Sequence, residues 1–220
     1  MINITNILFL LGAYLLGSIP SSVWIGKRFY KTDVREYGSG NAGATNTFRV
    51  LGKSAGIPVL LMDILKGFCA VNIAHLSNYI PNSNQFINLQ LVLGIAALLG
   101  HIFPIFASFR GGKGIATLLG IILAVHFYAA LFSIGIFLFV LLVSNYVSLS
   151  SIVAGITFPI IVILVFKTTV PSLIIFSLLI AIMVLITHQK NIERLLRNEE
   201  SKAMLIKRKI KSDKNETKAT

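Results

Sequence analysis

Long apolar stretches recur along almost the whole chain, and they limit what it can fold into more than any other feature. A helix rises about 1.5 Å per residue and the hydrocarbon core of a bilayer is about 30 Å thick, so roughly 20 apolar residues make one span. Hydrophobic residues make up 55% of the chain and charged residues only 13%, unlike an ordinary soluble domain. The sequence therefore predicts an all-α, polytopic integral membrane helix bundle.

Seven apolar segments are predicted, and we expect residues 27–54 between the first two to form a polar loop. The segment before that loop has no basic residues in front of it, so we expect no cleavable signal peptide. Residues 1–196 should form one membrane-embedded domain, and residues 197–220 a flexible, basic, polar cytoplasmic tail. The first three segments are residues 4–25, 55–80 and 86–107. Residues 115–147 contain the fourth and fifth, two short helices divided near His126. The last two segments are residues 150–166 and 172–187.

Lys and Arg residues indicate the orientation, because cytoplasmic loops are enriched in them. Of the 20, six lie in residues 27–54, two in residues 110–114 and ten after His188. Seven spans place all three regions in the cytoplasm, with the N-terminus outside and the C-terminus cytoplasmic. With six spans, the basic tail and residues 110–114 would lie on opposite sides of the membrane. With five spans, they would again lie on the same side.

A glycine loop, Gly111-Gly112-Lys113-Gly114, joins two apolar segments. Glycines let backbone N–H groups turn toward an anion, Lys113 adds a positive charge, and the next helix adds its partly positive N-terminus. The loop is not a nucleotide P-loop, because Ala107 stands where glycine is needed and Gly114 where Ser or Thr is needed. Two interpretations of this loop remain open. It could bind a phosphate, or it could be a tight turn whose lysine extends to the membrane interface.

A second polar block, residues 35–46 with Arg49 one turn further on, combines three glycines with hydrogen-bonding side chains. Its residues 38–46, which contain the glycines, are called the 38–46 block. Glycine allows close backbone approach to a ligand, and arginine can bind phosphate with two hydrogen bonds. The alternative is a flexible cytoplasmic loop. The neutral hydrogen-bonding residues of this block are Ser39, Asn41, Thr45 and Asn46.

A third block follows the last span, where His188, Asn191 and Arg194 recur at helical spacing. It predicts an imidazole, an amide and a guanidinium on one side of a helix at the membrane boundary. The alternative is a stop-transfer amphipathic tail, and we accept that interpretation for residues 207–211.

The remaining polar residues restrict the chemistry. The formal charge of +12 is attributed to membrane orientation and anionic lipid, not to nucleic acid. Asp63 and Lys66, three residues apart in a span, are either functional or a mutually neutralising pair. His75 and His126 are expected to be packing or interfacial residues. The single Cys69 excludes an internal disulfide, and no pattern indicates a metal site.

Five short motifs in this order resemble the bacterial acyl-phosphate-dependent glycerol-3-phosphate acyltransferases, the PlsY family. The chain departs from that family at Asn145, where a basic residue is expected, and at Asn198, where glycine is expected. Asn198 can keep the left-handed turn, whereas Asn145 implies that one phosphate contact is weaker or supplied elsewhere. The motifs are Gly17-Ser18-Ile19-Pro20, the 38–46 block, Gly100-His101-x-x-Pro104 with the glycine loop, Tyr146-Val147-Ser148-Leu149, and His188 with Asn191-Ile192 and Arg194-Leu195.

The resemblance implies transfer of a fatty acyl group from acyl phosphate to the 1-hydroxyl of sn-glycerol 3-phosphate, without a metal or cofactor. It implies a multi-pass protein of the bacterial inner membrane, with its active site facing the cytoplasm and a functional link to the enzyme that makes acyl phosphate. Direct transfer is favoured over an acyl-enzyme on Ser39, because no adjacent base is evident. The expected catalytic residues are His188, Lys113, Ser39 and Asn191; the expected phosphate-binding residues are Gly40, Asn41, Thr45, Asn46, Arg49, His101, Gly111, Gly112, Gly114, Thr117, Ser148 and Arg194.

Two other classes remain open on the residues alone. A small anion transporter could use the glycine loop as a gate and line a path with Asp63 and Lys66, but its polar motifs would be expected at the midplane and in inverted repeats. A lipid-binding scaffold would explain the basic tail and leave the glycine loops without a role.

Overall fold

The protein is described here by a computed structural model that covers residues 4–203. These residues contain no β-strand and form ten α-helices joined by short turns, which confirms the predicted all-α class. The helices are α1 (Ile4–Gly17), α2 (Ser21–Tyr30), α3 (Ala44–Leu51), α4 (Lys53–Asn72), α5 (Asn84–Ile102), α6 (Ile115–Val125), α7 (Phe127–Ser144), α8 (Val147–Ile160), α9 (Pro171–Thr187) and α10 (Gln189–Leu196).

Four helical segments of the described chain are long and apolar enough to cross a bilayer. Two bent pairs, α1 with α2 and α9 with α10, raise that number to six if each pair is one span. The apolar helix α6 has 11 residues and is too short to be counted with them. The predicted break near His126 is confirmed, since α6 ends at Val125 and α7 begins at Phe127. The count of seven spans and the orientation of the termini stay predictions.

Two predicted boundaries were wrong. Residues 4–25 are not one helix, because the chain breaks after Gly17 and turns by 41° into α2. Pro20 explains the break, since proline has no N–H and disfavours helical backbone in the residue before it. Residues 27–54 are not only a loop: α2 continues to Tyr30 and α3 lies within them, held by Phe48 against Gly56 of α4.

Glycines bring two pairs of helices into close contact. A Cβ atom on Gly67 of α4 would overlap the Thr117 carbonyl of α6, and one on Gly120 would overlap the Ile64 carbonyl of α4. Gly17 of α1 lies in the same way on the backbone of α5, at Ala97. In lipid, small residues at crossings permit this approach and let dispersion contacts accumulate. The crossings fix the end of α5 and the start of α6, which carry the glycine loop between them.

Candidate active site

The glycine loop folds back onto the end of α5. Gly111 N–H donates to the Ile102 carbonyl at 3.2 Å and Gly112 N–H to the His101 carbonyl at 3.3 Å. These bonds satisfy carbonyls that α5 leaves unpaired at its C-terminus. The N–H groups of Gly111 and Gly112 are thus directed at α5 in this structure, and the assignment of these two glycines to a phosphate stays a prediction.

Gly112 marks the contact between the glycine loop and the 38–46 block. A Cβ atom at this position would lie 2.6 Å from His101 Nε2 and 2.8 Å from the Ala42 carbonyl oxygen. Real side chains do not approach so closely, so only glycine fits here without movement. Two loops that are 70 residues apart in sequence are thus neighbours in the fold.

Lys113 is the cation at the centre of the site. Its ammonium donates a hydrogen bond to the Asn191 side-chain oxygen on α10. Burial lowers the pKa of Lys113 from 10.5 to about 8; the negative charge of Glu200 opposes that shift, whereas the positive charges of Arg194 and Arg49 add to it. Two further cationic side chains therefore lie near Lys113, as in a site built for an anion.

Glu200 joins three of the predicted residues. Its carboxylate accepts hydrogen bonds from Ser148 Oγ at 3.0 Å, Asn191 Nδ2 at 2.8 Å and Arg194 Nε at 2.7 Å. Burial raises the pKa of Glu200, but the bonds from Arg194, Asn191 and Ser148 outweigh it and hold the pKa below its ordinary value. Glu200 therefore fixes the positions of these three side chains, one of which, Asn191, accepts the hydrogen bond from Lys113.

Glu200 is a site residue that was not predicted, because it stands in the segment expected to be a flexible tail. The available signal was Asn198, whose left-handed backbone is confirmed by a φ of 58°. That turn directs the chain back toward α8, where Ala203 N–H donates to the Asn145 carbonyl at 2.7 Å. Asn145 is itself left-handed at the end of α7. The predicted amphipathic segment at residues 207–211 lies outside the described residues.

Asn46 supports the 38–46 block from inside. Its amide oxygen accepts from Ser39 N–H at 2.8 Å, and its amide nitrogen donates to the carbonyls of Val34 at 2.7 Å and Tyr37 at 3.1 Å. The side chain is buried, so these bonds hold the loop shape. Gly40 in this loop has a φ of 74°, a conformation that glycine adopts without strain. The assignment of Asn46 and Gly40 to a phosphate stays a prediction.

The other predicted residues of this block differ in exposure. Ser39 and Asn41 are half-buried, and Asn41 Nδ2 donates to Ser39 Oγ at 3.3 Å. Thr45 and Arg49, both on α3, are exposed to solvent. Within residues 4–203 Arg49 makes no ion pair, so its guanidinium is available to a ligand.

Arg35, absent from the predicted site, connects the 38–46 block to the turn that precedes the glycine loop. Its guanidinium binds Asp33 at 2.7 Å and 2.9 Å and donates to the Ala107 carbonyl at 2.9 Å. The hydrogen bond from Arg35 holds the pKa of Asp33 well below its usual range. The sequence places Asp33 two residues before Arg35, a spacing that indicates the ion pair. It does not indicate the bond from Arg35 to the Ala107 carbonyl, which is 72 residues away.

His188 occupies the junction between α9 and α10 and is buried. Its Nδ1 lies 2.8 Å from the Val184 carbonyl oxygen. A carbonyl only accepts hydrogen bonds, so Nδ1 carries the proton and Nε2 keeps its lone pair. A histidine in this tautomer can accept a proton at Nε2.

The predicted residues His101 and Thr117 lie behind the glycine loop, on α5 and α6. His101 Nδ1 is 2.9 Å from Thr117 Oγ1, and both side chains are buried. The other two histidines, expected to be packing or interfacial residues, each contact an aromatic ring: the centroids of His75 and Phe86 are 4.9 Å apart, and those of His126 and Phe166 are 4.6 Å apart. Within residues 4–203, no three His, Cys, Asp or Glu side chains are grouped as metal ligands.

The fold therefore brings Lys113, Asn191, Ser148 and Arg194 together around Glu200, and brings Gly112 against the 38–46 block. This arrangement offers a positively charged surface with one carboxylate, next to a buried histidine with a free lone pair. It can bind phosphorylated molecules and accept a proton.

Sequence comparisons agree with this chemistry. Residues 7–198 match the family model described as glycerol-3-phosphate acyltransferase. A glycerol-3-phosphate acyltransferase of Enterococcus faecalis is 44% identical over 204 residues, covering 89% of this chain and 91% of its own. Glycerol-3-phosphate acyltransferase 2 of Bacillus anthracis is 45% identical over 197 residues, covering 90% and 98%.

Two solved structures are similar along the same length. The crystal structure of PlsY (YgiH), an integral membrane glycerol 3-phosphate acyltransferase, in its glycerol 3-phosphate form superposes with a TM-score of 0.79 at 37% identity, covering 90% of this chain and 94% of that one. The lysophosphatidic acid form of that protein gives 0.77 at 38% identity, with the same coverage. The chain therefore belongs to the PlsY family of glycerol-3-phosphate acyltransferases and is a bacterial membrane protein.

Proposed function

We propose that this chain transfers a fatty acyl group from acyl phosphate to the 1-hydroxyl of sn-glycerol 3-phosphate, forming lysophosphatidic acid and inorganic phosphate. Its membership of the PlsY family supports the acyltransferase reaction. The glycerol 3-phosphate and lysophosphatidic acid forms of the similar PlsY structure support the acceptor and the product.

One observation carries the proposal most directly. Lys113 lies close enough to Glu200, Arg194 and Arg49 for their charges to affect its pKa, and Glu200 accepts a hydrogen bond from Arg194 Nε at 2.7 Å. Both proposed substrates are phosphorylated, and an excess of cations at two adjoining loops suits two phosphates better than one. Lys113 with Gly114 and the start of α6 would bind one phosphate, and the 38–46 block with Arg49 the other.

The chemistry needs alignment and a proton acceptor. The 1-hydroxyl oxygen forms a bond to the acyl carbonyl carbon, the bond from that carbon to the phosphate oxygen breaks, and phosphate leaves with the electron pair. The hydroxyl proton passes to His188 Nε2 or to a phosphate oxygen of the substrate. An acyl phosphate already has a good leaving group, so cations that stabilise the developing oxyanion and hold both reactants supply most of the acceleration.

Ser39 is assigned to binding rather than to an acyl-enzyme. Its hydroxyl accepts from Asn41, and no His, Asp, Glu or Lys side chain of residues 4–203 is bonded to it. A serine nucleophile needs a base within hydrogen-bond reach. Direct transfer between the two substrates follows.

The proposed topology places this site at the cytoplasmic face of the inner membrane. Seven spans, with α6 as a short fourth one, would leave the N-terminus outside and the three basic regions inside. A cytoplasmic site would receive acyl phosphate from the enzyme that makes it, while the acyl chain stays in the bilayer.

The test uses the full chain purified in detergent, with radiolabelled glycerol 3-phosphate and either acyl phosphate or acyl-CoA. We expect labelled lysophosphatidic acid from acyl phosphate and none from acyl-CoA, and we expect Lys113→Ala to reduce the rate by about 100-fold. Product from acyl-CoA alone would refute the donor assignment. Uptake of glycerol 3-phosphate by proteoliposomes without product would identify an anion transporter instead.

A further inference from the structure

Five polar side chains from four helices form a buried cluster that the proposed mechanism does not use. At its centre, Asp63 and Lys66 of α4 are only 2% and 6% exposed. The Asp63 carboxylate accepts from Lys66 Nζ at 2.9 Å and from Ser21 Oγ of α2 at 2.7 Å. The same carboxylate oxygen lies 3.8 Å from His101 Nδ1, which is bonded to Thr117. We name these residues the Asp63 cluster.

The cluster holds the break between α1 and α2. Lys66 Nζ donates to the Ile19 carbonyl at 2.8 Å, a group that the broken helix leaves without an intrahelical partner. Ser21, at the start of α2, is bonded to Asp63 from the other side of the break. The ammonium and the carboxylate thus fasten both ends of the break to the middle of α4. A salt bridge on its own would not explain these two further bonds.

The cluster also reaches the glycine loop. His101 Nδ1 is bonded to Thr117 and lies 3.8 Å from the Asp63 carboxylate, while Nε2, on the opposite side of the ring, lies so near Gly112 that a Cβ atom there would be only 2.6 Å away. Thr117 lies in the first turn of α6, directly behind the loop, and its carbonyl packs on Gly67, the residue after Lys66. A movement of Asp63 would therefore reach the loop by two routes, through the imidazole and through the crossing of α4 with α6.

We propose that Asp63 and Lys66 are positioning residues, which set the glycine loop for phosphate binding through His101. This inference rests on the proposed function and extends it from the residues that contact substrate to a pair that does not. Its physical basis is continuity: Lys66, Asp63 and His101 are buried next to one another, and the His101 ring leaves no room for a Cβ atom on Gly112. Close-packed interiors transmit displacement rather than absorb it.

A purely stabilising role makes a different prediction. Removing one member of a buried ion pair leaves an uncompensated charge and destabilises the fold, whereas replacing both with neutral residues is often neutral for stability. The double variant Asp63→Asn/Lys66→Met keeps the volume and removes both charges. If the pair acts only on stability, this variant has normal kinetics once folded.

The experiment compares the wild type, the double variant and a control, Gln90→Met, in the full chain. Gln90 is a buried polar residue of α5, like His101, but stands 11 residues away from it. We measure Tm in detergent, kcat and KM for both substrates, and the Kd for inorganic phosphate by calorimetry. We expect the double variant to keep its Tm, to raise one KM and the phosphate Kd about tenfold, and to change kcat less than about threefold.

A combination with Gly112→Ala separates positioning from general damage. If both act through the glycine loop, the triple variant loses less kcat/KM than the product of the two separate losses, because interacting sites are not additive. Additive losses, or wild-type KM and phosphate Kd in a folded double variant, overturn the inference. An inactive wild type that still binds phosphate would refute the proposed function instead, and the phosphate Kd of the double variant would then decide the positioning role alone.

Discussion

The pH dependence of substrate capture depends on Lys113. Burial and the neighbouring guanidinium groups of Arg194 and Arg49 bring the pKa of this ammonium down to about 8, against the opposing effect of Glu200. Its positive charge is therefore lost within an experimentally accessible range. We expect kcat/KM for the substrate bound by the glycine loop to fall as the pH rises above 8.

The magnitude follows from the titration. With a pKa of about 8, roughly 90% of Lys113 is charged at pH 7 and about 10% at pH 9. If only the ammonium binds phosphate productively, kcat/KM approaches a tenfold loss for each further pH unit. The substrate phosphate titrates near pH 6, so it does not contribute to this limb.

The assay is the rate of lysophosphatidic acid formation by the full chain between pH 7 and 10, at low concentration of one substrate and saturation with the other. Because kcat/KM reports the free enzyme, the limb gives the pKa of unliganded Lys113. A blank without protein corrects for hydrolysis of acyl phosphate at high pH. Deprotonation of Lys113 does not lower kcat/KM by unfolding the protein. Between pH 8 and 10.5 the lysine is more protonated in the unfolded chain than in the folded one, so its titration raises the free energy of unfolding as the pH rises.

Two variants test the assignment. Lys113→Arg keeps its charge up to pH 10, so the limb should disappear from whatever activity remains. Glu200→Gln removes the negative charge that favours protonation of Lys113, so the limb should move to lower pH. An unchanged limb in Lys113→Arg, or a wild-type profile that stays level to pH 10, would refute the reasoning.

Three further substitutions test the rest of the site. The new Cβ atom of Gly112→Ala would lie 2.6 Å from His101 Nε2 and 2.8 Å from the Ala42 carbonyl oxygen, and relieving these overlaps at about 1–3 kcal/mol corresponds to a loss of kcat/KM of about 5- to 150-fold. Gly135→Ala, where a Cβ meets nothing within 4 Å, is the matched control and should leave the kinetics unchanged. Arg35→Lys cannot bind Asp33 and the Ala107 carbonyl together, so hydrogen exchange of residues 105–110 should accelerate, and unchanged exchange would contradict the bridging role. Ser39→Ala should reduce kcat/KM by about tenfold without abolishing turnover; complete loss, with an acyl-serine trapped in the wild type by mass spectrometry, would instead favour an acyl-enzyme.

Local features were predictable where local physics decides them. The break at His126 and the left-handed turn at Asn198 were both expected, because apolar length and backbone preference act over a few residues. The break at Pro20 was not expected, although proline supplied the signal, because the apolar run through residues 4–25 was given more weight.

The sequence by itself determined the all-helical membrane class, the family and the three polar blocks that meet at the site, because apolar length and motif order are written along the chain. Only the tertiary structure decided which of those groups bond to one another. Lys113 and Asn191 are 78 residues apart, and Ser21 and Asp63 are 42 apart. The same is true of the bond from Arg35 to the Ala107 carbonyl and of the bond from Ser148 to Glu200, which join residues 72 and 52 positions apart. Helix crossings at Gly67 and Gly120 set these distances, and packing between remote segments leaves no periodic trace in the sequence.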